Sequence, residues 1–147
     1  MTNAGEYAPS PWDWVRDQVE DYEQSGGAGI TLMGTEYPII VVHSRGAKTG
    51  ARRKTPLMRV EHNGEYALIA SLGGSPKHPV WYFNLKAHPD DVFVQDGPEP
   101  FPVTVRELEG EERREWFERG VAAYPPYAEY QQRNERVIPV FLATPKA

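Results

Sequence analysis

A segment between His43 and Val60 concentrates basic side chains in a chain that is acidic as a whole. The segment has six Lys or Arg residues and no Asp or Glu, whereas the 147-residue chain has a net charge of −5 and carries all 21 acidic residues elsewhere. Such a local excess of positive charge attracts an anionic ligand without making the whole surface adhesive. The six basic residues are Arg45, Lys48, Arg52, Arg53, Lys54 and Arg59.

Two glycines enclose the centre of this segment, in the turn Gly46-Ala47-Lys48-Thr49-Gly50. Glycine permits backbone conformations in which successive N–H groups face an anion. Lys48, Arg52 and Arg53 then supply charge, and Thr49 adds a hydroxyl. The turn lacks the spacing of a Walker A loop. A solvated hairpin turn with basic residues explains the same spacing equally well.

A second candidate site is Ser71-Leu72-Gly73-Gly74, where a predicted strand ends and a short predicted helix begins. Glycines at such a junction let a planar ligand approach the backbone, and Ser71 can point its hydroxyl at that ligand. A flexible connection that binds no ligand is an equally good interpretation of this motif alone.

Aromatic residues form two further groups. Trp81-Tyr82-Phe83 occupies consecutive positions of a short predicted helix, so the three rings cannot all face one core. Tyr124, Tyr127 and Tyr130 recur every third residue, which places their rings near one face. Such a face can stack on an aromatic ligand and donate hydrogen bonds or a proton. For both groups, packing in the core is the commoner explanation.

The composition excludes several classes of function. Because the chain has no cysteine, it has no disulfide, thiolate nucleophile or Cys-ligated metal. The four histidines show no metal-binding spacing, so we expect no metal site. No motif supports a hydrolase or a Rossmann enzyme, and the net acidity argues against nucleic acid as a partner. With no export signal and no run of roughly 20 apolar residues, we expect a cytoplasmic protein.

The candidate residues must be positioned by strands with helices at the start, middle and end of the chain. Ser10-Pro11-Trp12-Asp13 predicts a helix N-terminus, and Gly26-Gly27 ends that helix. Asn63-Gly64 predicts a β-hairpin, so that the first three strands form an antiparallel meander. The predicted strands are 39–42, 55–61, 66–70, 92–95, 101–108 and 137–143, and the later helices are 79–86, 111–124 and a turn or two at 127–133.

Strands and crossover helices do not alternate regularly along the chain. The order of elements therefore predicts a mainly antiparallel sheet in the α+β class. Closure of that sheet into a small barrel would remove its exposed edges.

Five pieces of the sequence stand in order between about Ile39 and Leu142. They are Gly46-Ala47-Lys48-Thr49-Gly50, Arg53-Lys54-Thr55-Pro56-Leu57, Ala70-Ser71 with Gly73-Gly74, His78-Pro79-Val80-Trp81-Tyr82-Phe83-Asn84-Leu85, and Tyr124-Pro125-Pro126-Tyr127 through Ile138-Pro139-Val140. Each piece alone is weak, but all five with matching gaps resemble the deazaflavin-dependent nitroreductase family of actinobacteria. Ala47 stands where that family usually has an arginine.

The resemblance implies a six-stranded split β-barrel of the flavin-reductase, FMN-binding type with flanking helices. It also implies coenzyme F420, a deazaflavin whose reduced form passes a hydride to quinones, nitroaromatics or other electron-poor acceptors. The phosphodiester and oligoglutamate tail of this cofactor suits a cationic turn on an acidic protein. Its flat tricyclic ring suits aromatic and backbone walls.

By matched position, the resemblance also implies roles for individual residues. Lys48, Thr49 and Arg53 would hold the phosphate and tail, and Tyr127, Tyr130 and Ser71 would act beside the acceptor as hydrogen-bond or proton donors. The implied cofactor contacts are Ala47, Lys48, Thr49, Arg53, Lys54, Thr55, Pro56, Leu57, Met58, Ala70, Ser71, Leu72, Val80, Trp81, Tyr82, Phe83, Asn84 and Tyr127.

We expect a single domain, with an N-terminal helical segment at 1–29 and the barrel at 30–147. We expect that first helix to pack against the domain, since acidic residues dominate its polar face. Lining of the acceptor pocket and a peripheral contact at the inner face of the cell membrane stay open, as do a monomer and a homodimer. Alternatives are an FMN-binding barrel reductase and a non-catalytic F420 carrier. A nucleic-acid or phosphoprotein binder ranks last, because the basic segment lacks aromatic residues for stacking.

Overall fold

The chain folds into one curled antiparallel sheet with helices on both of its faces. The computed structural model describes residues 13–27, 37–71, 77–134 and 136–146. Within these residues the elements are α1 Asp13–Ser25, β1 Ile39–Arg45, β2 Arg52–Met58, β3 Glu61–His62, β4 Glu65–Ile69, α2 Val80–Ala87, β5 Val92–Gln95, β6 Pro100–Glu107, α3 Gly110–Ala123, α4 Pro126–Gln132 and β7 Val140–Pro145.

The strands lie in the order β2-β1-β5-β6-β7-β4-β3 and pair antiparallel throughout. Residues 59–60 join the two ends of this order, and the N–H of Ala67 in β4 donates to the carbonyl of Val60 at 2.9 Å. The sheet is therefore curled into a half-barrel, which confirms the predicted α+β split barrel. The described residues form seven strands instead of six, because the predicted strand 55–61 is interrupted after Met58.

The predicted hairpin at Asn63-Gly64 is present, with both residues at positive φ (52° and 82°). The predicted meander is wrong in its second half: β2 pairs with β1 as predicted, but β4 pairs with β3 and β7 and not with β2. The last strand begins at Val140 and not at Val137. The prediction that this strand starts at Val137 is wrong, because side chains bind the backbone of Ile138. The N–H of Ile138 donates to Gln131 Oε1 at 2.9 Å, and the carbonyl of Ile138 accepts from Arg113 at 2.7 Å.

Alternate residues of the strands pack into hydrophobic clusters on opposite faces, as the two-residue period of a strand requires. In β1, Ile39 and Val41 join a cluster with α1, α3 and α4. Ile40 and Val42 join a second cluster with α2. We call these the outer face and the α2 face.

Helix α1 packs on the outer face through Val19 and Tyr22, each only 1% exposed. The Tyr22 hydroxyl donates to the carbonyl of Gln95 at 3.1 Å and accepts the N–H of Gly97 at 2.8 Å. The predicted N-terminal cap of this helix at Ser10 lies outside the described residues. Among the helices that the structure describes, none has the length and apolarity to cross a membrane.

Candidate functional site

The glycine turn between β1 and β2 is closed by its own hydrogen bonds. The N–H of Gly46 donates to the carbonyl of Ala51 at 2.7 Å, and the N–H of Gly50 donates to the carbonyl of Gly46 at 2.9 Å. Gly50 has a φ of +73°, a conformation that disfavours side chains. Thr49 Oγ1 accepts the N–H of Ala51 at 3.1 Å, so its hydroxyl proton is left to donate elsewhere.

Asn84 fastens this turn to α2. Its Oδ1 accepts the N–H of Ala47 at 2.9 Å, its Nδ2 donates to Ser44 Oγ at 3.5 Å, and its side chain is buried. The backbone N–H of Ala47 is thus engaged within the protein. In the described part of the chain, the turn N–H groups that donate no hydrogen bond are those of Lys48 and Thr49. Whether Ala47 and Asn84 also contact a cofactor stays a prediction.

Acidic residues from distant parts of the chain neutralise much of the basic segment. Arg52 is fully buried, and its guanidinium contacts Asp91 Oδ1 at 2.7 Å, with Arg45 at 3.8 Å from the same carboxylate. Lys54 pairs with Glu23 of α1 at 2.6 Å, and Arg59 pairs with Asp96 at 3.0 Å. The expectation that Arg52 presents its charge at the turn is therefore wrong.

Lys48 differs from these basic residues. It is exposed at the tip of the turn, and among the described residues it has no acidic partner. Its ammonium group is therefore the available positive charge of the turn.

Pairing with β1 decides which residues of β2 lie beside α2. Arg53 lies opposite Ser44, and directly opposed residues share a face of the sheet. Because Ser44 contacts Asn84 of α2, the side chains of Arg53, Thr55 and Leu57 start on the α2 face. Leu57 packs against the cluster on that face.

The intervening residues of β2 lie on the outer face. Lys54 reaches Glu23 of α1, and Met58 is buried in the outer cluster. Pro56 lies opposite Val41, which belongs to the same cluster. The side chains of Lys54, Pro56 and Met58 therefore point away from α2, and only their backbone borders its face.

Helix α2 presents apolar side chains to solvent beside the turn. Val80 is 76% and Phe83 51% exposed, whereas Trp81 is buried against Phe141 with ring centroids 6.3 Å apart. The prediction that the aromatic run serves more than one surface is thus confirmed. Tyr82 is half-buried, and its hydroxyl donates to Glu107 Oε1 at 3.4 Å.

The end of β4 is held by Arg136, which sequence reasoning missed. The Arg136 guanidinium donates to the carbonyl of Ala70 at 3.2 Å and to that of Ser71 at 3.0 Å. It also contacts His78 Nδ1 at 3.1 Å, and the His78 ring stacks on Tyr82 at 4.2 Å. A single arginine in a loop offers no spacing by which it could have been identified. The predicted contact Leu72 lies outside the described residues.

Four tyrosines cluster where α3 meets α4. The Tyr124 ring lies 5.0 Å from Tyr127 and 5.1 Å from Tyr37, edge to face in both cases. The hydroxyls of Tyr124 and Tyr130 are 3.3 Å apart. Tyr127 is buried in the outer cluster, whereas Tyr130 is half-buried. The predicted wall of hydroxyl-bearing rings is therefore present, and Tyr37 adds to it.

Burial raises the pKa of two of these phenols, Tyr124 and Tyr127. Desolvation is the largest cause that raises the pKa of Tyr127 above its ordinary value, with smaller contributions from Tyr124 and Tyr130. Desolvation and the hydrogen bond with Tyr130 raise the pKa of Tyr124 to about 12. At neutral pH both groups can donate hydrogen bonds but release protons reluctantly.

Comparisons with known proteins converge on one family. The model of the family described as F420H(2)-dependent quinone reductase matches residues 14–145. An F420H(2)-dependent quinone reductase of Mycobacterium tuberculosis (strain ATCC 25618 / H37Rv) is 37% identical over 123 residues, covering 82% of this chain and 81% of that protein. A solved F420-H2 dependent reductase (FDR-A) is 59% identical with a TM-score of 0.68, covering 72% of this chain and 93% of that one. A solved structure described as a domain-swapped dimer is 54% identical with a TM-score of 0.70, covering 91% and 99%.

Proposed function

The chain belongs to the F420H(2)-dependent quinone reductase family, and we propose on this basis that the glycine turn, β2 and α2 together hold coenzyme F420. The protein is an oxidoreductase whose acceptors are electron-poor molecules of the quinone class. When bound, the reduced deazaflavin supplies the hydride. The residues of this chain bind and orient the cofactor and the acceptor and exclude water.

The observation that carries this proposal is that a turn with an available cation is hydrogen-bonded to a helix with exposed apolar side chains. Lys48 lies on a turn whose Ala47 is hydrogen-bonded to Asn84 of α2, and α2 exposes Val80 and Phe83. F420 likewise joins a polyanionic tail to a flat ring. A protein with a net charge of −5 repels that tail elsewhere, so the turn is the favoured place for it.

We assign the tail to Lys48, Thr49 and Arg53. The ammonium of Lys48 and the guanidinium of Arg53 offer charge-assisted hydrogen bonds to phosphate or carboxylate oxygens. Thr49 offers a hydroxyl proton and its backbone N–H, which donates no hydrogen bond within the described part of the chain.

We assign the ring to the α2 face. The side chains of Thr55 and Leu57 border this face, and Ala70 belongs to its cluster. Val80 and Phe83 supply exposed apolar surface that a planar ring would cover. For Lys54, Pro56 and Met58 we propose contact through backbone atoms only, and for Trp81 a supporting role beneath the ring.

The acceptor would lie past the end of β4, at the edge of the sheet where the α2 face and the outer face meet, with the ring on one side and the tyrosines on the other. Tyr127 and Ile69 both adjoin Gly120, and Ile69 precedes Ser71 by two residues in the chain. We therefore place Tyr127, Tyr130 and Ser71 on the acceptor side. The hydroxyl of Ser71 or of the half-buried Tyr130 would hydrogen-bond a quinone oxygen, and the buried Tyr127 would support this side through its ring. Nitroaromatics are a further class of acceptor to assay beside quinones.

The cofactor assignment is tested by the double variant Lys48→Ala with Arg53→Ala, using deazaflavin fluorescence to measure the dissociation constant of F420. Because the lost attraction is largely electrostatic, we expect about tenfold weaker binding or more, with a larger loss at low salt than at high salt. Arg114→Ala, which removes an exposed cation paired with Glu111 and Glu118 on α3, is the matched control. Equal affinities of the double variant and the parent would refute the assignment.

The same preparation separates the alternatives. Tight binding of FMN with no response to F420 would make the protein an FMN reductase. Saturable F420 binding without oxidation of reduced F420 by a quinone panel would make it a carrier. The domain-swapped relative makes a homodimer the state to test by light scattering. Membrane contact is to be tested by vesicle sedimentation.

A further inference from the structure

Arg136 lies where three separate segments of the chain meet. Its guanidinium donates to the carbonyls of Ala70 and Ser71, at the end of β4. It also contacts Nδ1 of His78, two residues before α2 begins. Arg136 therefore ties the end of β4 to His78, in the segment that leads into α2.

The backbone of Arg136 is itself held by α4. Gln131 Nε2 donates to the Arg136 carbonyl at 2.9 Å, while Gln131 Oε1 accepts from the N–H of Ile138 at 2.9 Å and from Arg113 at 3.0 Å. Helix α4 also carries Tyr127 and Tyr130. A continuous series of hydrogen bonds thus runs from α4 through Arg136 to β4 and to the start of α2.

The contact with His78 defines the state of that imidazole. A guanidinium has only donors, so Nδ1 of His78 must be the unprotonated acceptor. The pKa of His78 is lowered, first by desolvation and then by the charge of Arg136. His78 in turn stacks on Tyr82 with an interplanar angle of 20°, which passes the restraint on to α2.

We propose that Arg136 is a positioning residue that sets the spacing between the end of β4, the start of α2 and the tyrosine-bearing α4, and so shapes the ring pocket. This inference rests on the proposed function, because it assumes that Ala70, Ser71 and α2 contact the deazaflavin ring. Arg136 acts through backbone carbonyls and His78 and does not itself touch the reacting atoms.

The C-terminal half of α2 offers an internal comparison. Asn84 fastens that half to the turn assigned to the cofactor tail. Arg136 fastens the end beside the ring. Loss of the Arg136 contacts should therefore weaken binding of the ring, whereas loss of the Asn84 contacts should weaken binding of the tail. Two ligands separate these effects: complete F420, and a deazaflavin riboside that lacks the phosphate and glutamates.

The experiment measures dissociation constants of both ligands for Arg136→Met, Arg136→Lys, His78→Phe and Asn84→Leu. We expect Arg136→Met to weaken both ligands by a similar factor, about tenfold, since several charge-assisted hydrogen bonds are lost. Arg136→Lys should retain only part of the affinity that Arg136→Met loses, because an ammonium group cannot reproduce the planar hydrogen-bonding geometry of a guanidinium. His78→Phe keeps the stacking on Tyr82 and should give a smaller loss of the same kind. Asn84→Leu should weaken the binding of F420 but not that of the deazaflavin riboside.

A readout without ligand accompanies the titrations. Hydrogen–deuterium exchange of the peptide spanning 66–82 should accelerate in Arg136→Met and His78→Phe while the melting temperature of His78→Phe stays near that of the parent. Unchanged affinity of both ligands in Arg136→Met and His78→Phe would overturn the inference. If the parent protein does not bind F420 saturably, the proposed function itself fails, and this outcome is distinct from the first.

Discussion

The basic segment between His43 and Val60 and the end of β4 differ in how far the local sequence indicates which charged side chains are available for binding. The basic segment concentrates six cations in the sequence, yet Asp91, Glu23 and Asp96 from distant segments pair with four of them in the fold. At the end of β4 a single arginine from a remote loop binds two backbone carbonyls. Density of charge along a chain therefore does not measure its availability to a ligand, because long-range partners decide it.

The largest expected effect comes from breaking the ion pair between Arg52 of the basic segment and Asp91. Asp91→Ala leaves the fully buried Arg52 without its carboxylate, so we expect the free energy of unfolding to fall by about 3 kcal/mol. Urea denaturation followed by tryptophan fluorescence measures the change. The double variant Arg52→Met with Asp91→Ala should recover much of the loss, because no uncompensated charge stays buried. A single variant as stable as the parent would show that the pair is solvated.

The second prediction concerns the close packing beside the end of β4. A Cβ at Gly120 would overlap the side chain of Ile69 and would meet Tyr127 Cδ2 at 3.5 Å. Gly120→Ala should therefore cost about 1–3 kcal/mol of stability in spite of the better helix propensity of alanine. Ala122→Gly, at an exposed position of α3, is the control for propensity alone. A stabilised Gly120→Ala would mean that the helix moves freely away from the sheet.

The third prediction compares two lysines of the basic segment. Lys48→Ala should weaken F420 binding about tenfold, because its charge is available at the tip of the turn. Lys54→Ala removes a cation that is already paired with Glu23, so we expect less than about a twofold change in affinity and a stability loss of at most about 1 kcal/mol. Titration of both variants with F420 measures the contrast. Equal losses of affinity would show that charge density alone governs binding.

The smallest expected effect is a dependence of stability on pH. The pKa of the buried His43 in β1 is lowered from 6.5, chiefly by desolvation. Because the unfolded chain binds a proton more readily than the native state, stability should be constant above about pH 6.5 and should fall as the pH drops below it. Urea midpoints at about pH 7.5 and 5.5 measure the fall, which should be smaller in His43→Gln. An equal fall in stability in the parent and in His43→Gln would show that other groups cause the effect.

Local patterns predicted most of the architecture. Asn63-Gly64 identified a hairpin, and the proline-led run at 79–86 identified α2 nearly to its bounds. The strand break after Met58 and the late start of β7 were missed. At β7, side chains of Gln131 and Arg113 bind the backbone of Ile138, and no local pattern reports such bonds.

The candidate site was predictable only in outline. The residue types of the turn and the aromatic run pointed to an anionic, planar ligand. The sequence did not reveal that Arg52 pairs with Asp91, 39 positions away, or that Arg136 reaches Ala70 across 66 positions. Only the register of β2 against β1 separates the side chains that face α2 from those that face α1.

The tether at the end of β4 grips carbonyl oxygens, which every amino acid possesses. Exchange of the side chain at position 71 therefore leaves that attachment chemically unaltered. Under the proposed function, in which Ser71 lies beside the acceptor, this residue can change while the tether that holds the strand end stays in place.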